Sequence, residues 1–308
     1  MQKSKYLLPV LLIVLYLVPI AYSDYADPYF EIVKGNVPGH SFTGFEGIDE
    51  NVGTTEYALW AEASIYAYPA AATLMNVSSS SANDDSGNTG AWNVTIYGLN
   101  AAYHLINETV TMNGQAPVST VNQYYRVNRM VVEHVGTNTK NVGTIYIGTG
   151  ALVAGKPTVV YNEITPGWGI SSTAVYTVPD GYTAYLTYFH VGTDSTKIIE
   201  LALQSRCLTS TANSWRVDYH DHFSNFGVTH NLPLPFPYTE HTDIKVTARN
   251  SVGDAFATCD VFFVLVEDGY ELISIGSTEG EATSNFILYI ILIIIILGLL
   301  AARRYSNG

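Results

Sequence analysis

From residue 93 onward, apolar and polar positions alternate in short runs, with the two-residue period of half-buried β-strands. Asn93 to Leu99 puts Val94 and Ile96 on one face, and Ile106 to Met112 follows. Asn113-Gly114 between alternating runs is the strongest short hairpin signal in the chain and predicts a turn into Gln115 to Val121. Tyr124 to Val135 reads as a long strand in which Tyr124, Arg126, Asn128, Met130 and Val132 share a face. Val142 to Gly148 and Thr158 to Ile164 continue the series across a turn at Thr149-Gly150. Ala174 to Val178 meets Pro179-Asp180-Gly181, where the fixed φ of proline and the left-handed tolerance of glycine make a tight turn into Tyr182 to Val191. Lys197 to Leu203, Trp215 to His222, Ile244 to Arg249 and Asp260 to Val266 complete the set. Within the last of these, Val261 to Val266 is apolar on both faces and predicts a fully buried strand. Leu232 to Pro237 is extended but, with three prolines, cannot be a central strand. Ser78 to Gly90 reads as a polar surface loop.

Strands about every ten residues with turn signals between them predict an all-β fold, a β-sandwich or jelly roll, built as one large or two packed sandwiches. No internal repeat of roughly 20 to 50 residues is present, which speaks against a solenoid or propeller.

The two ends break the pattern. Lys3 and Lys5 precede an apolar stretch from Tyr6 to Ile20 and then Ala21-Tyr22-Ser23, the order of a secretory signal peptide with cleavage after Ser23. An uncleaved N-terminal anchor is the alternative; either way residue 24 onward leaves the cytoplasm. Phe286 to Ala302 carries no charge and is followed by Arg303-Arg304. As a helix it spans roughly 25 Å and predicts a single C-terminal transmembrane helix, with the arginines on the cytoplasmic side. The expected division is therefore a signal peptide at 1–23, an N-terminal ectodomain segment at 24–77, a β-sandwich body at 78–267, a juxtamembrane linker at 268–285, a membrane helix at 286–302 and a tail at 303–308. The protein is expected on a virion envelope or cell surface, N-terminus outside, with the lipid membrane as a partner through 286–302.

Composition narrows the partners. Residues 24–285 hold all 27 acidic residues and 10 of the 14 basic ones, a net charge of −17. Phosphate binding needs a positive footprint, so nucleic acid is not expected as a partner. Cys207 and Cys259 are either one disulfide, as export permits, or two buried thiols. Asn76, Asn93 and Asn107 each begin an Asn-X-Ser/Thr triplet and are candidate N-glycosylation sites.

Catalytic chemistry is not apparent. Gly-x-Ser-x-Gly, His-Glu-x-x-His, a phosphate loop and a thiol-activating Cys-His pairing are all missing from the sequence. No catalytic residue and no cofactor are expected, although a pair of carboxylates for glycoside hydrolysis would be invisible at this level. His220-Asp221-His222 is the one local cluster with metal-ligand spacing, since alternation puts His220 and His222 on one face about 6.6 Å apart. A third ligand would come from His190, His230, His241 or a distant carboxylate. Two ligands alone are more often a polar strand end, so no metal is assigned. Trp60, Trp92, Trp168 and Trp215 are scattered, as core fillers are, rather than set at one strand spacing as a sugar platform.

Residues 39 to 267 carry a series of stretches in a fixed order. These are Gly39-His40-Ser41 before Phe45, Ser78 to Gly90 leading into Trp92 to Asn100, Glu108 to Gly114, Tyr125 to Met130, Ala174 to Leu186 and His241-Thr242-Asp243-Ile244. In order and spacing they resemble a family of virion structural proteins of tailed bacteriophages and related environmental viruses. The resemblance implies a role in building or decorating a particle, with homo-oligomers or other structural proteins as partners, and supplies no active site. The departure is the pair of hydrophobic ends, which the phage relatives lack. A β body shown on a membrane suits an enveloped or membrane-containing virus, or a cellular surface protein built on a viral fold. A different class of function is an adhesion or receptor-binding module that recognises a glycan or protein through its loops. A membrane-tethered enzyme acting on extracellular polymer is a third.

Overall fold

The structure, a computed structural model, describes residues 28–62, 64–209 and 213–271. The expected signal peptide at 1–23, the membrane helix at 286–302, the tail at 303–308 and most of the 268–285 linker lie outside the described residues. Among those described, no helix is long and apolar enough to cross a membrane. A single turn and a half of helix, α1 (Pro28–Val33), carries Glu31, which pairs with Lys34 at 2.7 Å. The strand region, 35–270, is a unit by itself.

The fold of that region is all-β, and its strand ladders are antiparallel. One sheet has the order β1 (His40–Val52), β16 (Ala255–Glu267), β11 (Tyr182–Gly192) and β14 (Val228–Tyr238). A second has the order β10 (Val175–Thr177), β15 (Thr242–Asn250), β12 (Ile199–Cys207) and β13 (Arg216–Phe223), with the short β2 (Tyr57–Ala58) also on β15. Leaving β2 aside and counting these eight strands in chain order, the two sheets read 1-8-3-6 and 2-7-4-5. Phe45, Leu186, Phe189 and Phe263 from the first sheet share one apolar core with Leu201, Leu203, Ile244 and Val246 from the second.

Sequence explains the position of the key strands. Along β16 the buried residues alternate through Ala255, Ala257, Cys259, Val261 and Phe263, and then Phe263 to Val266 is buried on both faces. That strand sits between β1 and β11; Phe262 alone in the expected buried run is half-buried. Strand β14 carries Pro235 and Pro237, which have no N–H to give a second neighbour, and it lies at the sheet edge as expected. Its pairing with β11 skips between Leu186↔Phe236 and Tyr188↔Asn231, so the proline segment bulges out of register.

Between β1 and β10 the chain leaves this body at Leu59 and returns at Ala174, whose N–H donates to the Leu59 carbonyl at 3.0 Å. The intervening residues build a second two-layer unit, here called the head. One layer is β6 (Val118–Ser119), β3 (Asn76–Ser79), β8 (Ile145–Val153) and β9 (Lys156–Ile164); the other is β5 (Leu105–Thr111), β4 (Ala91–Leu99) and β7 (Arg126–Val135). Val77, Val94, Ile96, Met112, Met130 and Ile147 lie among the buried side chains of its core. Four sheets make the strand region propeller-like in their arrangement, which the missing sequence repeat did not lead one to expect. Each of the two larger cores, however, lies between a pair of sheets. A third, small cluster of Ala58, Trp60, Tyr66, Tyr146, Val160 and Val175 joins head to body.

Three local expectations change. Asn113-Gly114 does turn the chain, with Gly114 at φ +58, but the flanking strands do not pair with each other: β5 goes to β4 and β6 to β3 in the other layer. The turn packs instead on the 80–90 loop, where Gly114 N–H donates to the Asp84 carbonyl at 2.8 Å and a Cβ at 114 would crowd Ala82. Ser78 to Gly90 is not a free surface excursion. Ser78, Ser79 and Asp84 are fully buried, and the Asp84 carboxylate accepts from the N–H groups of Ala91, Val142 and Gly143, each at 2.8 Å, and from the Ser79 hydroxyl at 2.6 Å. The division at 77/78 falls inside β3, and β1, assigned to the N-terminal segment, is an integral strand of the body.

Candidate functional site

A densely built polar site lies at the seam between head and body. Arg126 projects from β7 of the head and Asp243 from β15 of the body, 4% and 0% exposed. Arg126 Nε and Nη2 donate to the two Asp243 oxygens at 2.9 and 3.2 Å, Arg206 Nη2 donates at 2.6 Å, and the Thr177 hydroxyl donates at 2.6 Å. The remaining Arg126 donor caps the Tyr125 carbonyl at 2.9 Å and the Pro69 carbonyl at 3.3 Å. Rings cover the charges: the Arg126 guanidinium lies 4.9 Å from Tyr68 and 4.2 Å from Tyr125, and Arg206 lies 4.7 Å from Trp215. Burial opposes the charge on Arg126, yet the paired Asp243 holds its pKa above the ordinary arginine value. Next to it Asn128 makes a two-way bridge to the Thr177 backbone, donating at 2.9 Å and accepting at 3.0 Å. The site can fix geometry; with every carboxylate oxygen engaged, it offers no free base. The alternating face Arg126-Asn128-Met130 was visible in sequence, but its partner Asp243 was not, being 117 residues away.

The strand pair β12–β13 places His220 and His222 on one face, as the spacing predicted, with their rings 4.7 Å apart. The third donor is a carboxylate, Glu200, opposite His222 in register. His220 Nε2 is 3.0 Å from Glu200 Oε1, but Arg249 grips the same carboxylate through Nε (2.8 Å) and Nη2 (2.7 Å). Arg249, assisted by His220, holds the Glu200 pKa down to about 2. A cation there would compete with a guanidinium already in place. The other histidines are engaged elsewhere: His230 with Asp221 (2.6 Å) and His190 with Thr229 (2.8 Å).

A second carboxylate–imidazole group was not singled out from sequence. Asp180 stands in the turn between β10 and β11, and Glu240-His241 in the turn between β14 and β15. Their ligand atoms all lie within 4.8 Å of one another. His241 Nε2 is 2.8 Å from Asp180 Oδ1, and His104, at the head's β4–β5 turn, brings its Nε2 to 3.4 Å from Asp180 Oδ2.

Cys207 and Cys259 are not bridged to each other, so the disulfide alternative gives way to two thiols. They sit on different sheets: Cys259 is fully buried in mid-β16 and Cys207 ends β12 near Thr209 and Thr239. Burial, with Asp260 beside it, pushes the Cys259 thiol pKa up. Asn76, Asn93 and Asn107 all lie within strands of the head, and Asn107 is the exposed one. Trp60 is buried in the small joining cluster, and Trp215 lies under Lys245 at 4.1 Å as well as Arg206. Beside that cluster Glu163, 1% exposed, has its pKa pushed up to about 8 by burial and by the neighbouring Glu62 charge.

No protein-family model matches the chain, and no curated protein does either. Among solved structures, that of infectious bursal disease virus Gx strain aligns over 75% of this chain and 73% of that chain at 11% identity, with a TM-score of 0.19. That of the Gt strain covers 80% and 79% at 10% identity, with a TM-score of 0.18. The VP2 subviral particle of the same virus covers 79% and 78% at 11% identity, with a TM-score of 0.13. At these scores no residue role passes from one chain to another.

Proposed function

We propose that this chain is a structural surface protein of a virion, held in a lipid layer by residues 286–302, with no catalytic role and with the β region displayed outward. The observation that carries the reading is the strand order of the body. Two sheets ordered 1-8-3-6 and 2-7-4-5 over one core are the two Greek keys of an eight-stranded jelly roll, an architecture shared by viral capsid, lectin and cupin domains. Fold alone does not choose among these. A roll that binds a small molecule keeps a cavity in its interior, whereas this interior is filled by Phe189, Leu201, Leu203, Val246, Val261 and Phe263. The head is fastened by a buried ion pair rather than a pliable tether, which suits a particle component that must keep one shape. The sequence resemblance over 39 to 267 points the same way.

A receptor-binding role for the head is the second reading, favoured by exposed apolar side chains such as Leu105, Val121 and Val153. Purified particles decide between them. A structural component is present stoichiometrically with the other major proteins and resists release by salt but not by detergent. Recovery only from envelopes of uninfected cells overturns the virion reading, and glycan-array binding by the displayed region supports the second.

A further inference from the structure

We infer that Asp180, Glu240 and His241 of the body, joined by His104 of the head, form a divalent transition-metal site of the zinc class that fastens the two units together. The donor set is two imidazoles and two carboxylates. Such mixed nitrogen and oxygen ligands suit zinc, nickel or copper, while calcium and magnesium prefer oxygen throughout.

Geometry brings the Asp180, Glu240 and His241 donors to a common point, and His104 reaches the group through Asp180. Bonds of about 2.0–2.1 Å place the ligand atoms of a tetrahedral zinc about 3.3 Å apart. Asp180 Oδ1 to His241 Nε2 is 2.8 Å and Asp180 Oδ2 to His104 Nε2 is 3.4 Å. The Asp180, Glu240 and His241 donors all fall within 4.8 Å of each other, so accepting an ion requires shifts of about 1 Å in those three side chains, while the exposed His104 ring turns further in from its place beside Asp180 to complete the set. One Asp180 carboxylate thus faces two imidazole nitrogens from two different sandwiches, an arrangement that one bridging ion satisfies at once.

The ligands are also held in place, as metal ligands are by their surroundings. Gly181 N–H donates to Glu240 Oε2 at 2.8 Å, which fixes that carboxylate. The His241 ring stacks on Tyr103 at 4.2 Å, and the His241 N–H donates to the Val178 carbonyl at 3.0 Å. Asp180 N–H donates to the Tyr103 carbonyl at 3.0 Å, so the head's turn is already docked on the body's. The nearby Arg126 is neutralised by Asp243 and does not compete. The Glu200–His220–His222 group differs on this point, because Arg249 already occupies its carboxylate.

The test uses the full chain in detergent, stripped with a chelator, dialysed and titrated with zinc chloride by calorimetry. One ion per chain is expected. His104→Gln, a change at a 63% exposed side chain, weakens zinc binding at least ~10-fold without lowering the metal-free melting temperature. Asp180→Asn and His241→Gln abolish it, and the double change His220→Gln with His222→Gln leaves it intact. Cobalt loaded into the unaltered protein develops the intense visible absorption of a four-coordinate site, a readout that needs no variant. Failure of the unaltered chain to take up zinc overturns the inference. So does a weak six-coordinate cobalt spectrum, binding unchanged in H104Q and D180N, or binding lost in the His220/His222 variant.

Discussion

Replacing Asp243 by asparagine keeps the shape of the seam and removes the carboxylate that Arg126 and Arg206 share. The Asp243 oxygens accept two bonds from Arg126, one from Arg206 and one from Thr177, all within 3.2 Å. An asparagine supplies one acceptor oxygen and turns an amide N–H toward a guanidinium. Arg126, 4% exposed, is then left charged and uncompensated. Removing one member of a buried pair costs about 3–5 kcal/mol, since the survivor keeps its desolvation penalty. A domain of this size loses about 2–4 °C of melting temperature per kcal/mol, so Asp243→Asn is expected to melt about 6–20 °C lower. Urea denaturation followed by near-ultraviolet circular dichroism, which reports the Tyr and Trp rings around the pair, measures the loss. The double change Arg126→Met with Asp243→Leu separates charge from packing: with both ions gone, most of the loss is expected to return. Arg206 tolerates this because it is 21% exposed and rests on Trp215. A loss below about 1 kcal/mol for Asp243→Asn, or a double variant worse than the single, would refute the claim that this buried pair holds the head.

Stability also depends on pH through Glu163. Its folded pKa of about 8 stands above the ordinary 4.5, so its contribution is whole below pH 4.5 and falls as pH rises, until it is gone once pH passes 8. Chemical denaturation at pH 5 and at pH 9 should therefore show the unaltered protein losing on the order of 4 kcal/mol more than Glu163→Gln across that interval, and parallel curves would contradict this. Asp84→Ala strips the acceptor from three backbone N–H groups and one hydroxyl, an expected cost of at least ~3 kcal/mol, with hydrogen exchange accelerating at 84–91 and 142–143; slow exchange there in the variant would count against the buried aspartate as organiser. Cys259 should resist alkylation until the protein unfolds, and modification of it in native buffer would show the body core to be more open than described.

Much of the strand pattern was legible because alternation is a local property. The buried run ending β16 and the edge position of the proline-bearing β14 both follow from side chains within the strand itself. What sequence misses is set by distant partners. The 80–90 loop looks solvated because it is rich in Ser, Asn and Asp, yet backbone N–H groups at 91, 142 and 143 hydrogen-bond Asp84 and hold it inside. The head was not separable from the body because its strands have the same composition, and the points of departure and return, Leu59 and Ala174, are ordinary strand-end residues. For metal chemistry the His220/His222 spacing showed, since it is strand periodicity. The register that adds Glu200 did not show, nor did the two turns that bring Asp180 to His241 across 61 residues.

The backbone bond between Leu59 and Ala174 has an evolutionary reading. Both ends of the excursion sit beside β15, β2 pairing at Thr247 and Ala248 and β10 at Asp243 to Lys245. A cassette whose entrance and exit already touch can be lengthened, exchanged or deleted while the roll beneath stays closed. The head can thus vary as a replaceable part while the roll beneath it keeps its fold.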